Sequence, residues 1–323
     1  MSLDSQTAEL LRQLGLQPDP PQITMMEVGV QAARESSRAV FHAYAGEGSP
    51  GCHAEDVQVP GTELPIPARL YRPASEAWPP SSMVVFLHGG GWSMGDLDCY
   101  DFFMRDLCVR SGTSILSVEY RLAPEHKYPA QLDDGLAAVR WAAARVRDPA
   151  RIAVMGDSAG GNLAAVVARR LHIEGRIRLA GQLLLYPMLD VSQPHAAFPS
   201  RMRYGDGEYL LTRESIDTAA TWYLDGIGRR DDPDVSPLLV EDLSMLPETV
   251  IVIGGHDPLL DEARQYAERL RAAGVATDFK CFATTIHAFL SFGVLDVARE
   301  GRAYLAGETT RLLQSQAVAW PSL

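Results

Sequence analysis

From about residue 55 onward, the sequence alternates short apolar segments with longer amphipathic ones, and this alternation restricts the possible folds more than any other feature. The short segments are rich in branched apolar residues and predict buried strands: "SMVVFLHGGG", "TSILSVEYRL", "RIAVMGDS", "LAGQLLLYPML", "ETVIVIGGHD" and "ATDFKCFA". The longer segments predict helices: "PAQLDDGLAAVRWAAARV", "AGGNLAAVVARRLHIEG", "LLDEARQYAERLRAAG" and a last helix over about 290–315. Strands that alternate with helices predict a mostly parallel central sheet flanked by helices, preceded here by a hairpin of "VQVPG" and "IPARLYRP".

Two stretches do not follow the alternation. Residues 1–45 are expected to be helical, because Leu3, Leu10, Leu11 and Leu14 fall on one stripe at helical spacing. Residues 191–235 are inserted between two strands and contain turn residues followed by a helix. An insertion after a parallel strand lies over the carboxyl edge of the sheet, where ligands bind in such folds. We therefore predict a core of residues 46–190 and 236–323 and a helical cap of residues 1–45 and 191–235.

The composition excludes several classes of partner. The chain has 323 residues, of which 46% are hydrophobic, and a net charge of −12 without basic clusters, so nucleic acid and anionic membranes should repel it. The N-terminal residues lack the basic and continuous apolar regions of a signal peptide. Apolar runs such as "MVVFL" are far shorter than the roughly 20 residues of a membrane span. We expect a cytoplasmic protein that binds neither nucleic acid nor membrane.

The four cysteines are scattered along the chain as Cys52, Cys99, Cys108 and Cys281, with no C-x-x-C pair. This usage is typical of a reducing compartment and argues against a zinc site. We expect the cysteines to pack in the core, and we expect no metal and no organic cofactor.

Ser158 lies at the centre of G-x-S-x-G, between a strand-like run and an alanine-rich helix. A nucleophile elbow needs this context, because a sharp turn with small neighbours holds one hydroxyl above the sheet. The alternative is a tight glycine-rich turn without chemistry, since the short motif also occurs by chance.

The run "FLHGGGW" follows another predicted strand. Successive glycines let backbone N–H groups point at one spot, as a developing oxyanion requires, and the elbow adds the N–H of Ala159. A phosphate or dinucleotide loop is the competing use, but neither G-x-G-x-x-G nor G-K-[ST] is present. The sequence therefore favours an oxyanion hole.

An acid and a base follow later strands. Asp257 comes after "TVIVIGGH" and can orient a histidine, whereas Asp261 and Glu262, one helical turn later, are expected to complement a helix N-terminus. His287, in "FATTIHAF", is the histidine that follows both serine and acid at the end of a strand. This gives the order Ser, Asp, His of an α/β-hydrolase.

Several longer motifs occur in a fixed order over about residues 55–295: "HGGGW", "EYRLAPEHKYPAQLDDGL", "GDSAGGNLA", "LLLYPMLD", "SPLL" and "DPLLDEARQYAERLRAAGV". In these the chain resembles the hormone-sensitive-lipase-like branch of α/β-hydrolases, which includes the bacterial family IV carboxylesterases. The resemblance implies the α/β-hydrolase fold with a helical cap, and dimers formed through an edge strand.

Residue roles follow from the same resemblance. It implies Ser158 as nucleophile, His287 as base and Asp257 as acid. It also implies an oxyanion hole made by the N–H groups of Gly90, Gly91 and Ala159, with His88 and Gly89 shaping the loop. Ala288 stands where the family usually has a glycine after the histidine.

The expected function is hydrolysis of short-to-medium-chain acyl esters through an acyl-enzyme. An amide, carbamate or lactone hydrolase with the same triad is an alternative, and a ligand-binding receptor on a hydrolase scaffold is another. Candidate pocket residues are Met25, Met26, Trp92, Trp222 and Tyr223, some of which could instead pack the cap's own core. The expected partners are a small ester substrate and a second copy of the chain, paired through the edge strand near residues 277–283.

Overall fold

One sheet of eight strands forms the centre of the protein in the computed structural model, which describes residues 2–16, 24–46, 48–224, 226 and 229–314. The strands are β1 Cys52–Val59, β2 Ile66–Pro73, β3 Met83–Leu87, β4 Ser114–Val118, β5 Ile152–Asp157, β6 Gly181–Leu185, β7 Thr249–His256 and β8 Thr277–Ile286. Their order across the sheet is β1-β2-β4-β3-β5-β6-β7-β8. Strands β3 to β8 pair in parallel, and β1 and β2 form an antiparallel hairpin that continues antiparallel onto β4.

The central strands are mostly apolar because helices cover both faces of the sheet. Every residue of β3, β4, β5 and β6 is buried. The helices of the described chain are α1 Ser5–Gln13, α2 Met25–Tyr44, α3 Leu97–Ser111, α4 Ala130–Ala143, α5 Ala159–Glu174, α6 Pro199–Tyr204, α7 Arg213–Tyr223, α8 Leu260–Ala272 and α9 Asp296–Gln314. The prediction of a mostly parallel sheet flanked by helices is confirmed. None of the helices in the described ranges is long and apolar enough to cross a bilayer.

Helix α3 is absent from the sequence-based prediction. Its signals are present in the sequence: Asp96 caps it by accepting from the N–H of Cys99, and Gly112 ends it in the left-handed conformation with φ of 63°. Charged residues interrupt its apolar stripe, and one of them, Asp106, is buried against Arg302 of α9. The helix therefore carries no clean amphipathic pattern, which explains why sequence analysis missed it.

The segments predicted as a cap occupy two different places. The N-terminal α1 buries Leu10 and Leu11 but lies beside β8, where the N–H of Asp4 donates to the carbonyl of Thr284 at 2.9 Å. Helices α2 and α7 instead pack against each other over the carboxyl edge of the sheet. Residues 1, 17–23, 47, 225, 227–228 and 315–323, which belong to predicted segments, lie outside the described residues.

Candidate active site

Ser158 occupies the turn between β5 and α5. Its φ of 54° and ψ of −118° are strained for a residue with a side chain, as the elbow predicts. The small neighbours are required by close approach: a Cβ on Gly156 would stand 2.0 Å from the carbonyl oxygen of Gly160, and a Cβ on Gly160 would stand 2.0 Å from that of Leu87. Strand and helix can therefore meet tightly enough to hold the hydroxyl above the sheet edge.

His287 and Asp257 meet Ser158 in one chain of hydrogen bonds. The Nδ1 of His287 lies 2.8 Å from Oδ2 of Asp257, and its Nε2 lies 3.0 Å from Oγ of Ser158. Because a carboxylate only accepts, the Nδ1 carries the proton and Nε2 is left to accept from the serine hydroxyl. Asp257 is fully buried and His287 is 5% exposed, so little water competes for these bonds. The other oxygen of Asp257, Oδ1, accepts from the N–H of Leu259 at 2.8 Å.

Asp261 and Glu262, the alternatives to Asp257 as the acid, contact α6, which lies in the predicted cap. The Oδ2 of Asp261 accepts from the N–H of Ser200 at 2.7 Å, and Glu262 is buried in an ion pair with Arg201. Both residues lie in the first turn of α8, yet they hold α6 to the core, a contact that the helix-terminus interpretation did not include. Burial raises the pKa of Glu262 to about 7, and the charge of Arg201 opposes that rise.

The loop after β3 brings Gly90 and Gly91 to the same cavity as Ser158. Gly90 and Gly91 have φ of 108° and 60°, values that a residue with a side chain adopts at a cost. Ala159 is the first residue of α5, so its N–H has no carbonyl partner within that helix. These three residues and Ser158 line the same cavity, which brings the predicted oxyanion donors and the nucleophile together.

The two residues predicted to shape this loop, His88 and Gly89, are its first two residues. His88 is fully buried, its Nδ1 lies 2.8 Å from the carbonyl oxygen of Gly89, and its ring stacks on Tyr120 at 4.3 Å between centroids. Burial lowers the pKa of His88 to about 4, so the ring is neutral at ordinary pH. Neutral and enclosed, it packs the loop and does not reach the cavity.

An apolar cavity of about 580 Å³ opens above Ser158. One face of α2 and part of α7 form its roof, and the loops after β3, β6 and β8 form its floor. Its lining includes Met25, Val28, Ala32, Ala33, Ser36, Ser37, Val40, Phe41, Trp92, Met188, Leu210, Leu211, Ser215, Ile216, Ala219 and Phe292. No lysine, arginine or glutamate lines it among the residues that the structure describes, which favours an uncharged ligand.

Two of the five candidate pocket residues, Met25 and Trp92, line the cavity, and three do not. Met26 is 45% exposed on the outer side of α2. Tyr223 lies one turn beyond Ala219, where its ring stacks on the indole of Trp92 at 4.3 Å, and Trp222 is buried elsewhere in the packing of α7. Helix α7 is buried on more than one face, so its apolar residues alone could not identify the face toward the cavity.

Sequence analysis also missed two polar residues at the cavity wall, Asp157 and Tyr100. Asp157 directly precedes the serine, and its position inside the G-x-S-x-G motif is the signal that could have singled it out. No group of three or more histidine, cysteine, aspartate or glutamate side chains in the described ranges is suited to hold a metal ion. The four cysteines are free thiols, of which Cys99 and Cys108 are buried.

Ala288 adopts a left-handed conformation with φ of 60° directly after His287. Glycine adopts this conformation without strain, which agrees with the resemblance-based expectation of a glycine after the histidine. An alanine at this place costs roughly 1 kcal/mol of backbone strain.

Comparisons with known proteins agree on the kind of protein. Residues 84–291 match a family model described as alpha/beta hydrolase fold. The carboxylic ester hydrolase LipN of Mycobacterium tuberculosis is 42% identical over 81% of this chain and 70% of its own length. The carboxylesterase NlhH of the same organism is 41% identical over 71% of this chain and 73% of its own. The structure of a hyperthermophilic esterase from the archaeon Pyrobaculum calidifontis is similar at a TM-score of 0.85 and 33% identity, covering 97% of this chain and 99% of that one.

Proposed function

The chain belongs to the α/β-hydrolase fold family, in its hormone-sensitive-lipase-like branch of carboxylic ester hydrolases, and we propose that it hydrolyses short-to-medium-chain acyl esters through an acyl-enzyme on Ser158. The observation that most supports this proposal is the hydrogen-bond chain from Asp257 through His287 to Ser158, which ends at the apolar cavity.

In acylation, Nε2 of His287 takes the proton of the Ser158 hydroxyl as Oγ forms a bond to the ester carbonyl carbon. The carbonyl oxygen becomes an oxyanion facing the N–H groups of Gly90, Gly91 and Ala159. Asp257 stabilises the imidazolium, which then gives its proton to the leaving alkoxide as the ester C–O bond breaks. A positioned base contributes about 10²- to 10⁴-fold and one oxyanion donor about 10²- to 10³-fold to the rate.

In deacylation, the same groups act on water. His287 takes a proton from a water molecule whose oxygen bonds to the acyl carbon, and the second oxyanion faces the same N–H donors. The bond from the acyl carbon to Oγ then breaks, and His287 returns its proton to Ser158. The enzyme is regenerated with release of the carboxylic acid, and every proton in the cycle passes through His287.

The cavity supports an uncharged substrate of limited length. Its walls are aliphatic and aromatic apart from a few serines and the ionisable groups next to Ser158, so an acyl chain can bury its methylenes there. Helices α2 and α7 cover part of the space above Ser158, so the buried part of an acyl chain has to fit within about 580 Å³. This space suits short-to-medium acyl chains better than long ones.

We also propose that two copies pair through β8. This strand is last in the sheet order, so its outer edge has no strand neighbour in the described chain. The contact of Asp4 with Thr284 covers the end of the edge, and residues 277–283 precede that contact. An edge of this length can accept a strand from a second copy.

A substrate panel tests the ester hydrolase proposal. We expect p-nitrophenyl butyrate to be cleaved much faster than the matching anilide, carbamate or γ-butyrolactone, because the phenolate leaves without protonation. Ser158→Ala is the matched variant and should lose this activity. Faster cleavage of the anilide or the lactone would assign the alternative hydrolase class. Tight ligand binding without turnover of any substrate would assign a receptor, and full activity of Ser158→Ala would exclude the serine mechanism.

A further inference from the structure

The loop that carries the oxyanion donors is fixed to the strand that carries the nucleophile by one buried carboxyl group. The Oδ1 of Asp157 accepts from the N–H of Gly89 at 2.6 Å, and its Oδ2 accepts from the hydroxyl of Tyr100 at 3.0 Å. The same hydroxyl oxygen also lies 3.2 Å from the N–H of Gly89, which closes a cluster of three groups. Asp157 is 1% exposed, so water does not compete for these bonds.

Glycine at position 89 makes this contact possible. A Cβ there would stand 2.5 Å from Oδ2 of Asp157 and 2.9 Å from its backbone oxygen. The loop backbone therefore lies directly against the end of β5, one residue before Gly90 and Gly91. Any movement of the Gly89 N–H changes the place of the two predicted donors that follow it.

Other hydrogen bonds hold different parts of the loop and do not duplicate the one between Gly89 and Asp157. Tyr120 donates to the carbonyl of His88 at 2.6 Å, and Arg34 donates to the carbonyl of Ser93 at 2.7 Å. None of the residues in these two contacts is joined to Ser158 by a peptide bond. Asp157 is joined to Ser158 by a peptide bond and to the loop by its side chain, so it sets the separation between the two.

Burial of the Asp157 carboxyl group disfavours its charged form. Burial raises the pKa of Asp157 to about 7, while the hydrogen bonds from Tyr100 and Gly89 and the nearby His287 ring lower it. Above pH 7 the group is therefore an anion whose two oxygens accept both hydrogen bonds. Charge-assisted bonds of this kind are shorter and stronger than neutral ones, which suits them to hold a loop rigidly.

We propose that Asp157 is a positioning residue that holds the oxyanion loop, through Gly89, at the distance from Ser158 that the tetrahedral intermediate needs. In this role it acts through the loop and makes no bond to the reacting atoms. The proposal rests on the serine mechanism proposed above, because only an oxyanion formed at Ser158 depends on this distance.

The test uses the full-length protein with Asp157→Asn, Asp157→Ala and Tyr100→Phe, and Asp134→Asn as the control. Asp134 is equally buried and also accepts from a backbone N–H, that of Arg121 at 2.9 Å, but it does not line the cavity. We expect Asp157→Ala to lower kcat on p-nitrophenyl butyrate by about 10²-fold, close to the loss of one oxyanion donor. Asp157→Asn, which keeps an acceptor for Gly89, should lose about 10-fold, while KM stays within about threefold in both. Asp134→Asn should change kcat by less than about threefold.

Inhibitor affinity separates positioning from a structural role. Ser158 adds reversibly to an alkyl trifluoromethyl ketone: the Oγ–C bond forms, the carbonyl oxygen becomes an oxyanion, and His287 takes the proton. Its Kd should rise in proportion to the loss of kcat/KM across the variants, whereas the Kd of the matching alcohol, which forms no adduct, should not change.

Three outcomes would overturn the positioning proposal. These are unchanged kcat in Asp157→Asn and Tyr100→Phe, equal loss of affinity for ketone and alcohol, or a loss in Asp134→Asn as large as in Asp157→Asn. The Asn and Phe variants keep the test valid if Asp157→Ala does not fold. Ser158→Ala is measured alongside: full activity in that variant would remove the serine mechanism itself, whereas its inactivity with unaffected Asp157 variants would remove only this proposal.

Discussion

At the scale of single residues, Asp257 and Asp261 offer a matched comparison four positions apart. Asp257 accepts from His287, whereas Asp261 accepts from the backbone of Ser200. We expect Asp257→Asn to lower kcat by about 10⁴-fold, because the amide favours the wrong tautomer of the histidine. Asp261→Asn should cost far less, and Ser158→Ala should lose about 10⁶-fold with an unchanged circular dichroism spectrum. If Asp261→Asn is the inactive variant, the acid is assigned to the wrong residue.

The pH dependence of kcat/KM belongs to the same scale. His287 accepts a proton only when it is neutral, so the rate should fall on the acid side. Asp157 adds to this fall: burial raises its pKa to about 7, so its carboxylate is present above that pH and is lost as the pH decreases through it. Because the Asp157 carboxylate is lost below about pH 7, we expect a profile measured from pH 5 to 9 to decline below that pH. His195→Gln should keep the wild-type profile, because His195 pairs with Asp217 outside the cavity. A flat profile would exclude histidine as the base.

At the scale of elements, a buried ion pair connects α6 with α8. Arg201 is 1% exposed and pairs with Glu262, which also accepts from the N–H of Leu189 at 2.6 Å. Removing one partner of such a pair leaves a buried charge uncompensated. We expect Arg201→Met to lower the free energy of unfolding in urea by about 3–5 kcal/mol at pH 8.

The loss of unfolding free energy in Arg201→Met should depend on pH, because it depends on the ionisation of Glu262. Burial raises the pKa of this carboxyl to about 7, and the loss of Arg201 removes the charge that opposes the rise. A carboxyl with a raised pKa in the folded state destabilises the protein as the pH increases, so the loss should be smaller at pH 5.5. Arg203→Met, on the exposed side of the same helix, is the control and should have little effect. The double variant Arg201→Met with Glu262→Met should recover part of the loss, and equal losses in Arg201→Met and Arg203→Met would contradict the prediction.

The strands and helices also show how much of the fold and of the site could be predicted from the sequence. Strands β3 to β8 were predictable as segments, because most of them are apolar runs of the right length, and the helices between several of them indicate parallel pairing. Their order across the sheet was not predicted. The proximity of Ser158, Asp257 and His287 was predictable because each follows a strand, and the ends of parallel strands meet at one edge. The residues that line the cavity could not be predicted, because they depend on how α7 is rotated against α2. Tyr223, which we expected to line the cavity, stacks on Trp92. The contact of Asp157 with Gly89 joins residues 68 positions apart, which no local pattern encodes.

At the scale of the whole molecule, the cavity relates substrate length to rate. Each methylene that an acyl chain buries adds about 0.8 kcal/mol of binding until the space is full, after which crowding opposes binding. We expect kcat/KM on p-nitrophenyl esters from C2 to C16 to peak between butyl and octyl chains, without activation at an oil–water interface. Removal of residues 1–45 should leave the triad in place but lower activity and broaden the optimum, because α2 forms much of the roof. A maximum at C14 or longer, or an unchanged optimum after the deletion, would exclude a closed acyl pocket.

The pairing of two copies through β8 is also a property of the whole molecule. One chain has a mass of 35.3 kDa, and light scattering at high protein concentration should give about twice this value if the edges pair. A single-chain mass over the whole concentration range would exclude the dimer.

Part of the cavity is shaped by a helix that carries none of the residues proposed to perform the chemistry. Ala32, Ala33, Ser36 and Ser37 narrow the space from α2, a helix that lies outside the sheet and supplies no member of the proposed triad. Substitutions that turn alanine into valine or serine into leucine at these positions would alter which esters fit without altering Ser158. Substrate preference and chemistry can therefore change separately, because substitutions on the cavity side of α2 leave Ser158, Asp257 and His287 in place.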